Sequence, residues 1–395
     1  MTILMERTRL LALLVIAFLS LVDTSFIAPI LSGYAKSLGA GDLEAGVVVG
    51  IYSLVAIPST IAMGYFIDRV GRKVLLVPLF IGDAVSIYLY SLASNITQLL
   101  IARVLHAVFD SGVFPASLAV FREAIEGRMA GRYMGLYWVF ISLGIILGSS
   151  TASILVIRAG FKPVFWIISA LMILGLLASL YIREIYRIPS RGTPIGFSAL
   201  GRYWGILIPA YLSAFILYIS IGSIVGALST NMIRYYSASD REAAAATGIY
   251  MAISTAAAIP ANIAAGFIMD RRGAFFTASM GSLLLAISMA ILALRLDIAA
   301  RVVSALIHGS AMAMIFVSSS EIAVRVPENA RGSSAAIYNT MLLLGVAIGS
   351  PIAGYLTSNP IYVEGQVIYT TYLAPAILSI ALLAIMAIYI ARGNR

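Results

Sequence analysis

Cysteine is absent from the 395 residues, and histidine occurs only twice. Without thiols the chain can form neither a disulfide nor a thiolate metal site. Two histidines also argue against a metal site built from imidazoles. We therefore expect no bound metal and no cofactor.

Charge is scarce as well. Only 11% of the residues are charged, whereas about a quarter is usual in soluble domains. Hydrophobic residues make up 61%, and the mean hydropathy is +1.00. Apolar stretches of about 20 residues recur, long enough to cross a bilayer core of about 30 Å, and they do not alternate as barrel strands do. The composition predicts an all-α polytopic membrane protein.

The apolar stretches predict twelve transmembrane helices. A polar segment with Pro189 and Pro194 divides them into an N-terminal six-helix bundle at 1–183, a cytoplasmic linker at 184–202 and a C-terminal six-helix bundle at 203–395. The predicted spans are approximately 9–34, 43–66, 74–94, 97–122, 131–157, 162–183, 203–230, 243–268, 274–295, 298–324, 332–357 and 368–391.

Basic residues are distributed unevenly about these spans. With both termini in the cytoplasm, 18 of the 26 Lys and Arg residues fall on the cytoplasmic side and 6 on the opposite side. This bias predicts cytoplasmic termini in a multi-pass plasma-membrane protein. Because the positive charge is spread over many loops, it argues against nucleic-acid binding. The first apolar stretch is too long for a signal peptide, so we expect it to be retained.

Three pairs of similar strings indicate an internal duplication. GYFIDRVGRKV at 64–74 resembles GFIMDRRGAFF, which begins 202 residues later. ARVLHAVFDSG at 102–112 resembles ARVVSALIHGS at an offset of 198, and LGIILGSS at 143–150 resembles LGVAIGSP at an offset of 201. Similar offsets in the same order predict two pseudo-symmetric six-helix units, a plan that transporters use.

The first of these strings resembles the signature loop of the major facilitator superfamily, and the resemblance covers the whole chain. It implies two bundles that alternate access to a central cavity lined by spans 1, 4, 7 and 10. It also implies that Asp68 and Asp270 contact helix starts in the opposite half, as parts of a cytoplasmic latch. The alternative is that the basic residues there only set orientation. The latch residues are Gly64, Asp68, Arg69, Gly71, Arg72, Glu123, Asp270, Arg271, Gly273, Glu321 and Arg325. Glu321 and Arg325 are spaced to pair within one helix.

Seven ionisable side chains fall inside predicted spans. A charged group there costs roughly 2.5–3.5 kcal/mol on insertion scales, so each is a functional candidate. They are Asp23, Asp83, Arg103, His106, Asp110, Arg301 and His308.

Arg103, His106 and Asp110 are spaced to share one face of span 4. Asp23 lies near the middle of span 1. A coupling site needs a group that gains and loses a proton as its surroundings alternate between wet and dry. We expect Asp23 to be the proton carrier, with Asp110 as the next candidate and Arg103 as a movable counter-charge. The alternative is a fixed structural pair of Arg103 and Asp110.

The other embedded groups have structural alternatives. His106 and His308 either titrate or serve as packing residues. We expect Asp83, on a span that the resemblance places at the periphery, to bond to a neighbouring helix. Arg301 either binds a carboxylate or phosphate of the substrate or extends to the outer interface.

Aromatic and amide side chains of the second half are further cavity candidates. The alternative for each tyrosine is a place in an interface belt or in the packed core. The candidates are Tyr211 and Tyr218 on span 7, Asn262 on span 8 and Asn339 on span 11.

These features predict a secondary transporter, not an enzyme, with a small-molecule substrate, protons and the bilayer as partners, and a monomeric state. DTSFIAP at 23–29 resembles drug–proton antiporters and favours export of small amphiphilic compounds. DSGVFPAS at 110–117 resembles the anion–cation symporter branch and favours uptake of a small organic anion or sugar. A non-transporting receptor is the alternative of another class. Substrate, direction, and proton or sodium coupling stay open at this point.

Overall fold

The computed structural model describes residues 2–70, 72–124, 130–182, 200–323 and 325–391. In this part of the chain, twelve helical stretches are long and apolar enough to cross a membrane, which confirms the predicted fold class. Span 1 consists of two helices, Thr2–Leu19 and Val22–Ser37. Spans 2 to 12 are Asp42–Val70, Arg72–Leu92, Ile96–Ala124, Ala130–Ala159, Phe161–Tyr181, Trp204–Tyr236, Asp240–Arg272, Ala274–Leu294, Ile298–Ala323, Glu328–Thr357 and Thr370–Ala391.

Span 1 is interrupted at Ser20 and Leu21, two residues before Asp23. Leu21 leaves the helical conformation, with φ −136° and ψ 2°, and Val22 begins the second helix. Hydroxyl groups take up some of the backbone carbonyls around the break, since Ser20 donates to Ala17 and Ser25 donates to Leu21. Irregular backbone at membrane depth is stable where protein buries it. The break therefore places Asp23 in the first turn of a buried helix end.

A short hairpin precedes span 12. Its strands, Ile361–Val363 and Gln366–Ile368, pair antiparallel. Glu364 and Gly365 both have positive φ, which a two-residue hairpin turn requires.

The chain forms two compact units. The first unit contains residues 1–40, 51–191 and 240–248; the second contains residues 41–50, 192–239 and 249–395. The first residues of span 2, up to residue 50, therefore belong to the second unit, and the first residues of span 8, up to residue 248, belong to the first unit. The division into six-helix bundles at 1–183 and 203–395 stays a prediction.

Matching glycines let helices pack closely in each unit. A Cβ atom on Gly144 of span 5 would lie 2.6 Å from the backbone oxygen of Phe18 in span 1. A Cβ atom on Gly345 of span 11 would lie 2.6 Å from the backbone oxygen of Phe215 in span 7. Such small-residue contacts allow membrane helices to approach without a hydrophobic driving force. The repeat seen in the sequence is therefore also a repeat of packing.

Candidate functional site

Four spans of the first unit bring ionisable and phenolic side chains together. All five ionisable groups of this set are at most 5% exposed. Tyr52 is partly buried, and Tyr90 is fully buried. We call the following set the buried cluster: Asp23 from span 1, Tyr52 from span 2, Asp83 and Tyr90 from span 3, and Arg103, His106 and Asp110 from span 4.

His106 lies between two carboxyl groups. Its Nε2 is 2.9 Å from Asp23 Oδ2 and 3.1 Å from Asp83 Oδ1. The three atoms lie within 4.8 Å of one another. Asp23 Oδ1 and both oxygens of Asp83 have no hydrogen-bond partner among the described residues. One imidazole nitrogen thus lies close to both carboxyl groups, while three of their four oxygens have no hydrogen-bond donor among the described residues.

The other ring nitrogen of His106 fixes the tautomer. Nδ1 lies 2.8 Å from the Tyr90 hydroxyl and 3.3 Å from a guanidinium nitrogen of Arg103. Because a guanidinium can only donate, Nδ1 is the acceptor in this arrangement. The ring hydrogen therefore lies on Nε2, and His106 donates it to Asp23.

Asp110 has different partners from those expected. Its Oδ2 accepts hydrogen bonds from the Tyr52 hydroxyl and, at 3.2 Å, from Thr24 Oγ1. No ion pair joins Arg103 to Asp110 in the described part of the chain. Instead, the Arg103 guanidinium lies 4.4 Å from the centre of the Tyr52 ring, a cation–π contact. Tyr52 therefore connects the cation to the carboxylate.

The same geometry supplies three donor atoms for a metal ion, which the sequence alone argued against. Asp23, Asp83 and His106 each offer one, a carboxylate–imidazole set that suits a divalent transition metal. With the hydrogen on Nε2, however, the lone pair of His106 faces Tyr90 and Arg103 rather than the carboxyl groups. The observed arrangement therefore suits protons better than a metal ion.

The second unit repeats these positions with fewer charges. Tyr250 contacts Ser304 Oγ at 2.9 Å, and His308 Nε2 lies 3.1 Å from Ser220 Oγ. The Nδ1 atom of His308 is buried and has no partner among the described residues. The corresponding positions, 198 residues apart, are Tyr52 and Tyr250, Asp83 and Gly281, Arg103 and Arg301, His106 and Ser304, and Asp110 and His308.

Tyr211 and Tyr218 both pack at one apolar cluster of the second unit. Tyr211 is 4% exposed within an apolar cluster, and its hydroxyl lies 2.7 Å from Ser334 Oγ. Tyr218 is partly buried against the same cluster. Tyr338 belongs to the same cluster, and cavity roles for Tyr211 and Tyr218 stay predictions.

The remaining cavity candidates are more accessible. Asn262 and Asn339 are exposed on the second unit. Arg301 is half-buried, and its Nε has no hydrogen-bond partner among the described residues. Roles for these three in substrate binding stay predictions.

Comparison with known proteins decides the family. The family model described as Major Facilitator Superfamily matches residues 13–298 and 210–395, which together include most of span 1 and all of spans 2 to 12. The chain belongs to the major facilitator superfamily.

Relatives within the superfamily carry different names. The multidrug resistance protein MdtG of Proteus mirabilis is 27% identical over 65% of this chain and 65% of its own length. An uncharacterised MFS-type transporter of Methanocaldococcus jannaschii is 30% identical over 41% of this chain and 42% of its own length. The chain therefore matches less than two thirds of either relative.

Solved structures of the superfamily share the fold. The nucleoside transporter NupG has a TM-score of 0.78 at 14% identity, covering 96% of this chain and 99% of its own. A bacterial homologue of the human lysosomal transporter Spinster, inward-facing and occupied, has a TM-score of 0.76 at 17% identity, covering 96% and 95%. At these identities the likeness concerns the fold alone.

The superfamily latch is described only in part. Arg325 Nε donates to both carboxylate oxygens of Glu321 at 2.9 Å, which confirms their predicted pairing. Asp270 and Arg271 are exposed at the end of span 8, and Gly273 follows with φ 86°. Gly64 lies within span 2. The described residues do not include Gly71 or the side chains of Asp68, Arg69, Arg72 and Glu123. The latch therefore stays a prediction.

Sequence reasoning undervalued Asp83 and missed Tyr52 and Tyr90. Asp83 and Tyr90 are seven residues apart, which puts both on one face of span 3. Tyr52 belongs to a Gly-Ile-Tyr string that recurs 198 residues later at Tyr250. The seven-residue spacing and the repeated string are both visible in the sequence. Neither pattern predicts which neighbouring helix these side chains contact.

Proposed function

We propose that this chain is a secondary active transporter that couples proton entry to the export of small amphiphilic compounds. The observation that carries the proposal is the contact between Asp23 and His106, buried between spans 1 and 4. A carboxylate in such surroundings is expensive to insert and is rarely retained without a function. Span 1 is interrupted next to Asp23, which gives this carboxyl group a helix end that can adjust.

The coupling mechanism follows from charge. When Asp23 is ionised, it accepts the hydrogen bond of the His106 N–H, and the Arg103 guanidinium contacts the other ring nitrogen of that imidazole. When Asp23 gains a proton, that attraction weakens, and the contacts between spans 1 and 4 change. A transporter driven by the proton gradient needs such a change on one side of the membrane and its reversal on the other. A cell membrane with both termini in the cytoplasm, and a monomeric state, belong to the same proposal.

The direction of transport is supported by one relative. MdtG of Proteus mirabilis is named a multidrug resistance protein, and its match covers 65% of this chain. Resistance by a membrane protein of this superfamily is consistent with export. The substrates of this chain are accordingly proposed to be small amphiphilic compounds.

A second candidate function is proton-coupled uptake of a small organic anion. The specific observation is Arg301, whose Nε lacks a hydrogen-bond partner among the described residues. A guanidinium in that state can bind a carboxylate or phosphate through two parallel hydrogen bonds. Uptake moves protons in the same direction as the substrate, whereas export moves them in opposite directions.

The test uses the full chain in liposomes that contain a pH-sensitive dye. A thermal-shift screen of amphiphilic compounds and of small carboxylates first selects ligands. An imposed pH gradient then reports proton movement when a selected ligand is added. Export predicts proton flux opposite to that of the ligand.

The matched variants are Asp23→Asn and Glu364→Gln. Glu364 is exposed in the hairpin turn and is not part of the buried cluster. We expect Asp23→Asn to lose ligand-dependent proton flux and Glu364→Gln to keep it. Flux in the same direction as the ligand would select the uptake function. Ligand binding without any flux in the wild-type chain would refute transport and favour a receptor.

A further inference from the structure

We propose that the hairpin before span 12 is a lipid-binding element. Its first strand, Ile361–Val363, lies in the headgroup layer of the bilayer, where its side chains contact phospholipid rather than water or another protein chain. The hairpin joins the end of span 11 to the start of span 12, so it lies on the membrane face opposite residue 391. This inference is independent of the proposed transport function, because it concerns only how the chain contacts the bilayer.

The first argument is the composition of the two strands. Five of their six residues are apolar, and the one charged side chain of the hairpin lies in the turn. Ile361 is paired with Ile368 on one face of the hairpin. Tyr362 is paired with Val367 on the other face, so both faces carry apolar side chains. A hairpin of only two strands is marginally stable in water, so this one needs an apolar environment.

The second argument is that the second unit leaves the first strand uncovered. Ile361 is 47% exposed, Tyr362 is 64% exposed and Val363 is 49% exposed. In the second strand, Val367 and Ile368 are partly buried, and this strand contacts span 9. The first strand is therefore the open side of the hairpin. Adjacent large apolar side chains without cover are typical of a surface that contacts a membrane or a partner.

The third argument is the level of the hairpin relative to the membrane. Tyr369, directly after the second strand, donates its backbone N–H to the Ala293 carbonyl oxygen at 2.8 Å, one residue before span 9 ends. Thr370 donates its hydroxyl to the Leu356 carbonyl oxygen, one residue before span 11 ends. The hairpin thus starts level with the ends of these spans. Its three-residue strands extend about 10 Å, and the headgroup layer is about 5–8 Å thick, so the first strand lies in or beside that layer.

The fourth argument is continuity with the membrane-facing surface of the second unit. Tyr236 at the end of span 7 and Tyr355 in the last turn of span 11 are exposed, and tyrosine is enriched where spans leave the hydrocarbon core. Along the membrane-spanning part, Ile352 of span 11 and Ile377 of span 12 are also exposed. Tyr362 continues this apolar and aromatic surface along the chain. The continuity favours lipid over a second protein as the partner of the strand.

The absence of cysteine from the chain allows a site-specific test. Tyr362→Cys, Val363→Cys and the control Glu364→Cys each give the full chain a single site for a nitroxide spin label. Ile287→Cys, at an exposed position of span 9, is the lipid-facing reference. In phosphatidylcholine vesicles, oxygen relaxes labels in lipid, whereas a water-soluble nickel chelate relaxes labels in water. We expect the oxygen-to-nickel ratio at 362 and 363 to be several-fold above that at 364 and to approach that at 287.

Two results of this experiment contradict the proposal. Ratios at 362 and 363 that equal the ratio at 364 place the strand in water and overturn it. Labels that are shielded from both reagents, with spin–spin broadening that disappears on dilution with unlabelled protein, assign the strand to contact with a second copy of the chain. That result overturns the proposal as well.

A photoreactive phospholipid tests the wild-type chain, so that no variant has to fold. The probe is a phosphatidylcholine with a diazirine near the glycerol end of one acyl chain, and mass spectrometry locates its adducts after illumination. We expect adducts on Ile361–Val363 as well as on exposed residues of spans 11 and 12. Adducts on the spans but none on the strand overturn the proposal. Because the hairpin has no basic residue, adducts on the strand should not require anionic lipid, and such a requirement would overturn the apolar contact.

Discussion

The hydrogen bond from Tyr52 to Asp110 offers a prediction that can be worked from the structure. In Tyr52→Phe the ring stays beneath the Arg103 guanidinium, but Asp110 Oδ2 loses one of its two donors. A hydrogen bond to a charged group contributes about 1.5–3 kcal/mol, against about 0.5–1.5 kcal/mol for a neutral one. We therefore expect Tyr52→Phe to destabilise the protein by about 1.5–3 kcal/mol.

Tyr250 is the matched control, because it takes the same place in the second repeat. Its hydroxyl lies 2.9 Å from Ser304 Oγ and near a second serine, so Tyr250→Phe removes only neutral partners. The expected loss is about 0.5–1.5 kcal/mol. Both variants keep the aromatic ring, so the difference between them isolates the charge on the partner.

A double-mutant cycle in detergent-solubilised protein measures the pair directly. Chemical unfolding of wild type, Tyr52→Phe, Asp110→Asn and the double variant gives the coupling energy, expected to be about 1.5–3 kcal/mol. The same cycle with Tyr250→Phe in place of Tyr52→Phe should be additive to within about 0.5 kcal/mol. A coupling energy between Tyr52 and Asp110 below about 0.5 kcal/mol would show that the hydroxyl does not stabilise a charged Asp110. That result would refute the predicted charged hydrogen bond.

Three further predictions concern packing and surface pairs. Gly144→Ala should destabilise the protein by about 1–3 kcal/mol, because its Cβ atom would lie 2.6 Å from a backbone oxygen. Gly205→Ala is the control, since a Cβ atom there has no atom within 4 Å and should leave stability unchanged. Thermal unfolding compares the two variants. Arg234→Gln removes the ion pair with Asp42, and because Arg234 is 45% exposed we expect a loss of about 1 kcal/mol or less that shrinks in high salt. Glu321→Gln removes the ion pair with Arg325 one helical turn away and should lower the free energy of unfolding by about 0.2–0.5 kcal/mol. The loss should be smaller in high salt, and a loss that does not depend on salt would contradict this explanation.

Much of the architecture was readable from the sequence because the membrane imposes it. A bilayer core demands about 20 apolar residues per helix, so composition and spacing alone predict the spans. The duplicated strings predicted the repeat, which the matching contacts of Gly144 and Gly345 bear out in three dimensions. The charged positions within spans also stood out, because a charge is conspicuous in an apolar segment.

The partners of those charges were not readable. Spacing along span 4 places Arg103, His106 and Asp110 on one face, but it does not say which helix that face meets. The sequence predicts that Asp83 contacts a neighbouring helix, but it does not identify His106 of span 4, which lies 3.1 Å away, as the partner. Similarly, the spacing of Tyr211 and Tyr218 did not predict that the Tyr211 hydroxyl contacts Ser334 on span 11. Helix periodicity gives a face, whereas tertiary packing gives the contact.

The two repeats have kept one scaffold and divided the chemistry. Tyr52 and Tyr250 occupy corresponding positions, yet Asp83 and His106 correspond to Gly281 and Ser304, which carry no charge. Electrostatics offers a physical reason for the difference. Two ionised carboxyl groups within 4.8 Å repel by about 3 kcal/mol at an effective dielectric constant of about 20, before any cost of desolvation. A second copy of the buried cluster would double that burden, and the proposed proton coupling requires only one copy. Among the corresponding positions of the second unit, Arg301 alone carries a permanent charge, because Tyr250 and Ser304 bond through their hydroxyl groups where the first unit has a carboxyl–imidazole contact.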